Sequence, residues 1–341
     1  MKKVHLSNSK IKEIGESSFE GLVYLKELNL SNNAIEWIHP RAFRTMEVLE
    51  EISLRGNMIK DAAMPVLACR EVSSLKRLDL SQNNIKSLSK GSFVDMKNVQ
   101  EIILNTNELS AIEPGAFSKL PSLRVLELNN NLLLDLYADI FDQVPNIEQL
   151  KASANNISHV SDVKFIARTM PNLMVLDLND NSLELSNGKK FEGHEKLEVL
   201  KLNANEIKGL QPNTFQRLPN LKELHLSHNR IGIDVDGQIW NLPKVNLLDI
   251  SHNDLSSLTP RFLSGLPQLS SLDVGFNIIS NIEQETLMEV PYLRSCNMSF
   301  NKIRTLPPGL FKGLRDLYEL DISYNGLSEL DKNIFQGLSS L

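Results

Sequence analysis

Two cysteines in 341 residues leave this chain without a disulfide framework. Cys69 and Cys296 fall about nine strand spacings apart in the repeat described below, roughly 40 Å against a limit near 7 Å between bridged Cα atoms, so they do not pair with each other. Cys296 takes a core position as a small hydrophobe, and Cys69, expected in a surface loop, is the one thiol open to an intermolecular bond. Basic charge is also short: Lys and Arg number 36 against 42 Asp and Glu, a net charge of -6. That balance argues against a nucleic-acid binder, which needs clustered cations to neutralise phosphates, and weakly favours protein or basic partners. No run approaches the roughly 20 apolar residues that span a bilayer, and Met1 to Lys12 has no apolar centre of the signal-peptide kind. Low-complexity stretches and linkers are missing as well.

What is present is a period. Asparagines recur at Asn33, Asn57, Asn83, Asn107 and onward to Asn325, spaced by 24 residues with two steps of 26. Each closes the same phrase, seen in Leu25, Leu28, Leu30, Asn33, Ile35 and again in Leu317, Leu320, Ile322, Asn325, Leu327. Alternation at Leu28 and Leu30 predicts a short strand with one face in the core and Glu27, Asn29 and Ser31 on the other. The asparagine sits where the chain leaves the strand, with donors and an acceptor for the backbone groups that the bend leaves unpaired.

A second ladder follows ten residues later, at Phe19, Phe43, Phe93, Phe117, Phe141, Phe165, Phe191, Phe215, Phe311 and Phe335, with Leu67, Ile239, Leu263 and Leu287 in the gaps. These side chains are expected to form a buried spine behind the strands. The two longer turns carry their extra residues at Ala68 to Ser74 and Ile166 to Pro171, which read as bulged surface loops.

This phrase and period are those of a leucine-rich repeat. With phrases such as Leu248 to Asn253 and Leu320 to Asn325, the chain resembles the typical class of extracellular animal repeats, shared by Toll-like receptor ectodomains, chaoptin-like adhesion proteins and secreted matrix proteins. The resemblance implies an α/β-type solenoid over residues 1–341: a curved horseshoe with a parallel concave sheet of about 14 strands and short irregular or 3-10 convex segments. Cysteine-rich end caps of the family are missing from this sequence, so a piece of a longer protein is expected.

The outward face is where a partner surface is expected. Its central column alternates in sign from Glu127 through Lys151 and Asp177 to Lys201, which predicts pairing between neighbours. Further on it holds Asp249, Asp273, Asn297 and Asp321 with no cation. Beside it, just before the ladder asparagines, His228, His252, Phe276, Phe300 and Tyr324 follow one another in five turns. Exposed aromatics next to charge are what interfaces use as anchors, so these eight residues (three aspartates, two histidines, three larger rings) are the candidate partner surface. His225, His228 and His252 near carboxylates also fit a pH-sensitive element. Val125, Val175, Val199 and Leu247 form a lesser apolar set on outward positions.

Sequons at Asn29, Asn156 and Asn297 are candidate glycosylation sites. Ser251, His252 and Asp254 look like triad members but are nearly sequential at a strand end, where nucleophile, base and orienter do not converge. No His or Cys pair has metal-ligand spacing, and no cofactor is expected.

The expected function is therefore non-enzymatic protein binding, through the concave face, in an extracellular or cell-surface adhesion, matrix or receptor protein. The partner is a protein ligand or another repeat protein, including a second copy of this chain. A Toll-like pattern-recognition ectodomain and an intracellular repeat scaffold are the alternatives.

Overall fold

A computed structural model describes residues 2–141, 144–158, 169–185, 191, 193–211, 214–215, 217–232 and 240–341. The chain divides into two compact units, Met1–Leu173 and Met174–Leu341. Among the described residues fourteen three-residue strands form the parallel sheet, seven in each unit. In the first unit Leu28, Ile52, Leu78, Ile102, Leu126 and Leu150 stand in one register line. In the second, Leu176, Leu200, Leu224, Leu248, Leu272, Cys296 and Leu320 do the same.

The register follows from the repeat length, because a 24-residue step returns each residue to its own counterpart, as Glu27 to Glu51. The first 26-residue step keeps the line, placing Arg77 opposite Glu51, since its extra residues are taken up in the return segment. Central strand residues are buried while their neighbours are half-covered, the alternation a pleat requires. No single turn encloses its own leucines, so burial of about 2 kcal/mol per leucine is realised only against adjacent turns.

Polar cohesion comes from the asparagines. Asn107 Nδ2 donates to the carbonyls of Leu80 and Leu104, both at 3.0 Å, while its Oδ1 accepts from the amide of Ile85 at 3.1 Å. Two of those groups belong to the preceding turn, so the amide ties turn to turn as well as closing its own bend. The same set recurs at Asn57, Asn131, Asn229 and Asn277. A second ladder, not evident from the sequence, runs two residues earlier: Asn105 Oδ1 accepts from the amide of Asn129 at 2.8 Å, and Asn203 Oδ1 from that of Ser227 at 2.8 Å.

The phenylalanine spine is present with corrections. Phe93 stacks on Phe117 at 5.3 Å, and Phe191 on Phe215 at 5.8 Å. Ile239 and Phe165 lie outside the described residues, and the next ring after Phe215 is Trp240, at 5.9 Å. Leu67 is not a spine residue: it is 48% exposed, and Val66 is buried instead. The reason is helix α1, Ala63–Cys69, which takes in Leu67 and runs into the first two residues of the expected loop, Ala68 to Ser74. Asp61 Oδ1 accepts from the amide of Ala63 at 2.9 Å at its start, and the helical turn rotates Leu67 outward and Val66, Ala68 and Cys69 inward.

Cys69 is consequently 1% exposed and not available for an intermolecular bond. Burial pushes its thiol pKa up, away from the reactive thiolate. Cys296 is buried as expected, its thiol pushed up to about 12 by burial and, secondarily, by Asp273. Phe335 stacks on Phe311 at 6.0 Å and is 42% exposed. The second longer turn lies partly outside the described residues.

Candidate functional site

The residue before each ladder asparagine adopts a left-handed backbone. At His228, His252, Phe276, Phe300 and Tyr324 φ is 54°, 51°, 51°, 52° and 53°. Gly56 occupies the same place earlier, with φ 67°. Non-glycine residues there cost about 1 kcal/mol each, so the ring contacts need to offset it.

They do so by stacking. Ring centroids are 4.0 Å apart for His228 and His252, 4.1 Å for His252 and Phe276, 4.1 Å for Phe276 and Phe300, and 4.0 Å for Phe300 and Tyr324. Interplanar angles are 10° to 13°. Each such pair contributes about 0.5–1.5 kcal/mol, enough to balance the backbone term. The structure thus brings all five predicted rings into one tier. Faces between neighbours are covered, and edges look outward; Tyr324 is 72% exposed and Phe276 42%.

The acid column lies alongside and is less frustrated than its sequence implies. Asn297 Nδ2 donates to both oxygens of Asp273 at 3.1 Å, and the amide of Gly275 donates to Asp273 Oδ1 at 2.9 Å. Asp249 Oδ1 accepts from the Ser251 amide and hydroxyl, the latter at 2.8 Å. Asp321 accepts from the amide of Ser323 at 2.9 Å. Burial nonetheless raises the Asp273 pKa, against the lowering effect of those donors and with help from Asp249. The bonds from Ser323 lower that of Asp321. His252 is held below its ordinary value by burial and then by the adjacent His228, with Asp273 and Asp249 opposing.

Elsewhere the column pairs as expected within each unit: Lys151 Nζ meets Glu127 at 2.8 Å, and Lys201 Nζ meets Asp177 at 3.7 Å. The apolar set does not become a patch. Val125, Val175, Val199 and Leu247 are half-buried, and Glu223 stands between Val199 and Leu247.

The three sequons separate by environment. Asn156 is exposed, whereas Asn29 Oδ1 accepts from the Ser31 amide at 2.9 Å and Asn297 is committed to Asp273 and Ser299. The triad lookalike has no chemistry: the Ser251 hydroxyl donates to Asp249, and both faces of the His252 ring are covered by His228 and Phe276. Among the described residues no group of His, Cys, Asp or Glu is placed to hold a metal, and no helix is long and apolar enough to cross a membrane.

The leucine rich repeat family profile matches residues 1–59, 68–109, 97–157, 171–231, 243–303, 267–327 and 291–341. A search of curated proteins finds no match. A leucine-rich-repeat protein of Leptospira interrogans superposes with a TM-score of 0.82 at 25% identity, over 99% of this chain and 82% of that one. Drosophila Toll, solved in complex with Spatzle, gives 0.80 at 22% identity over 95% of this chain and 44% of that chain. An internalin of Listeria monocytogenes gives 0.68 at 19%, over 100% and 85%. Solenoids of this kind are typically scaffolds for protein binding, without enzymatic activity. With the repeat profile matched along most of its length and the asparagine ladder bonded turn to turn, the chain belongs to the leucine-rich repeat family.

Proposed function

We propose that this chain is a non-enzymatic recognition region of an extracellular adhesion, matrix or receptor protein, and that it binds a protein partner through the ring tier and the acid column beside it. The observation that carries this reading is the tier itself: five stacked rings with exposed edges, a preorganised apolar strip next to Asp249, Asp273 and Asp321. Rigid aromatic area lowers the ordering cost of association, and the net charge of -6 favours a basic protein over a nucleic acid. The seven strands of the unit that carries the tier, at about 4.8 Å spacing, give roughly 30 Å of face beside it.

The extracellular placement rests on the resemblance of the repeat to the animal class. A receptor ectodomain is the favoured subtype, because Toll shares this architecture and its solved form holds the protein ligand Spatzle.

The test is a binding screen of the purified chain against secreted proteins and ectodomains, repeated with the Asp249→Asn, Asp321→Asn double variant. A basic partner whose association rate falls in the variant and with added salt supports the reading. Partners indifferent to both changes count against the acid column as part of the site.

A further inference from the structure

The file of left-handed residues does not end at His228. It continues backward through Ala204 and Asp180, whose φ values of 51° and 52° match those of the rings. Their amides bond forward in the same way, Asp180 to the Asn203 carbonyl at 2.9 Å, Ala204 to that of Ser227 at 2.8 Å and His228 to that of Ser251 at 3.1 Å. Equal backbone geometry in register aims successive Cβ atoms in parallel, so the three residues and the four that follow form one row.

From His228 to Tyr324 every step of that row carries a planar ring, 4.0 to 4.1 Å from the next. At Ala204 the step carries a methyl group. The row therefore has a gap one planar group thick. One wall is the His228 face turned away from His252; the other is Asp180, two steps back. His228 and Asp180 are exposed and Ala204 is half-buried, so the gap opens to solvent. Among the described residues the Asp180 carboxylate has no hydrogen bond or ion pair. Glu206, two residues beyond Ala204, is also exposed and adds a second carboxylate on the same turn.

We infer that this gap is a slot for a planar cation, the guanidinium of an arginine presented by a protein partner. Guanidinium is flat enough to take the place of the missing ring at about 4 Å from His228, and it has donors to spare for Asp180. An ammonium group is compact and strongly hydrated and does not stack, so lysine fits poorly. A neutral aromatic ring would stack but would leave Asp180 unanswered. The slot lies in the same row as the proposed binding tier and deepens that reading; it shares His228 with the tier but otherwise rests on Asp180 and Ala204, and it is tested without the partner.

The experiment is saturation-transfer and chemical-shift NMR on the whole chain with Nα-acetyl-arginine N-methylamide, compared with the citrulline and lysine analogues. The wild type is expected to saturate the arginine methylenes and to shift the His228 ring signals, with citrulline and lysine at least about tenfold weaker. Ala204→Phe fills the gap and should abolish both effects; phenylalanine is accommodated in this conformation at Phe276 and Phe300. Asp180→Asn should weaken binding about five- to tenfold. The Phe276→Ala, Phe300→Ala, Tyr324→Ala variant should retain arginine binding, which separates the slot from the tier. Absence of arginine binding to the wild type, equal binding by citrulline, or unchanged binding in Ala204→Phe would each overturn the assignment.

Discussion

Asn297 holds Asp273 by both carboxylate oxygens, 3.1 Å to each, across neighbouring strands. The amide supplies donors where the column has no cation, and it lets three aspartates share one file. It does not remove the cost of covering Asp273, whose pKa is raised by burial above the ordinary 3.8. In the window between 3.8 and that raised value the folded chain binds more protons than the unfolded one, so this group favours folding less as pH rises through its folded pKa. Asp273→Asn keeps an oxygen for the Gly275 amide and removes the charge. Its melting temperature at pH 7 should equal or exceed that of the wild type, and the decline in stability that the charge causes with rising pH should flatten. Thermal melts from pH 3 to 7 read this.

The asparagine ladder sets the largest stability effect. Asn253 donates to the carbonyls of Leu226, Ile250 and Ser251 and accepts from the amide of Ile231 at 2.9 Å. Asn253→Ala leaves those buried groups unpaired, and urea unfolding should show a loss of about 2–4 kcal/mol. A loss below about 0.5 kcal/mol would mean that water replaces the amide.

Glu50 is the hub of an exposed trio. It accepts from Lys26 and from Lys76, the latter at 2.9 Å, and these two bonds hold its pKa at about 2, below the ordinary 4.5. A depressed carboxylate stabilises the fold above 4.5 and loses that contribution as pH falls from 4.5 toward about 2. Glu50→Gln should therefore show a shallower loss of urea midpoint across that interval than the wild type. Added salt should shrink the difference, because the pairs are open to solvent.

Much of this architecture is legible in the residues. A polar side chain fixed at one place in every 24-residue turn has to serve the backbone, and Asn107 or Asn253 does what that spacing implies. The ring row was legible as a column, but its face-to-face geometry was not, since it depends on the left-handed backbone that His228 and Phe276 share. Leu67 and Cys69 depart from the repeat because the longer turn forms helix α1, and a helix rotates side chains by a rule that the strand period does not contain. The excess of acid in the column was visible, whereas its internal answer by Asn297, Ser251 and Ser323 was not.

Glycosylation should follow exposure. Made through a secretory pathway, the chain should carry a glycan at Asn156, which is open to solvent, and not at Asn297, whose amide nitrogen is bonded to Asp273. Peptide mapping after glycosidase treatment distinguishes the sites, and occupancy at Asn297 with none at Asn156 would contradict the packing described.

The ring tier as an anchor is tested most directly by affinity. For a partner found with the wild-type chain, the Phe276→Ala, Phe300→Ala, Tyr324→Ala variant, shown by circular dichroism to be folded, should bind more weakly by more than about 2 kcal/mol, roughly 30-fold or greater in Kd. Equal affinity in the folded variant would contradict the account and leave the rings as packing along the edge of the sheet.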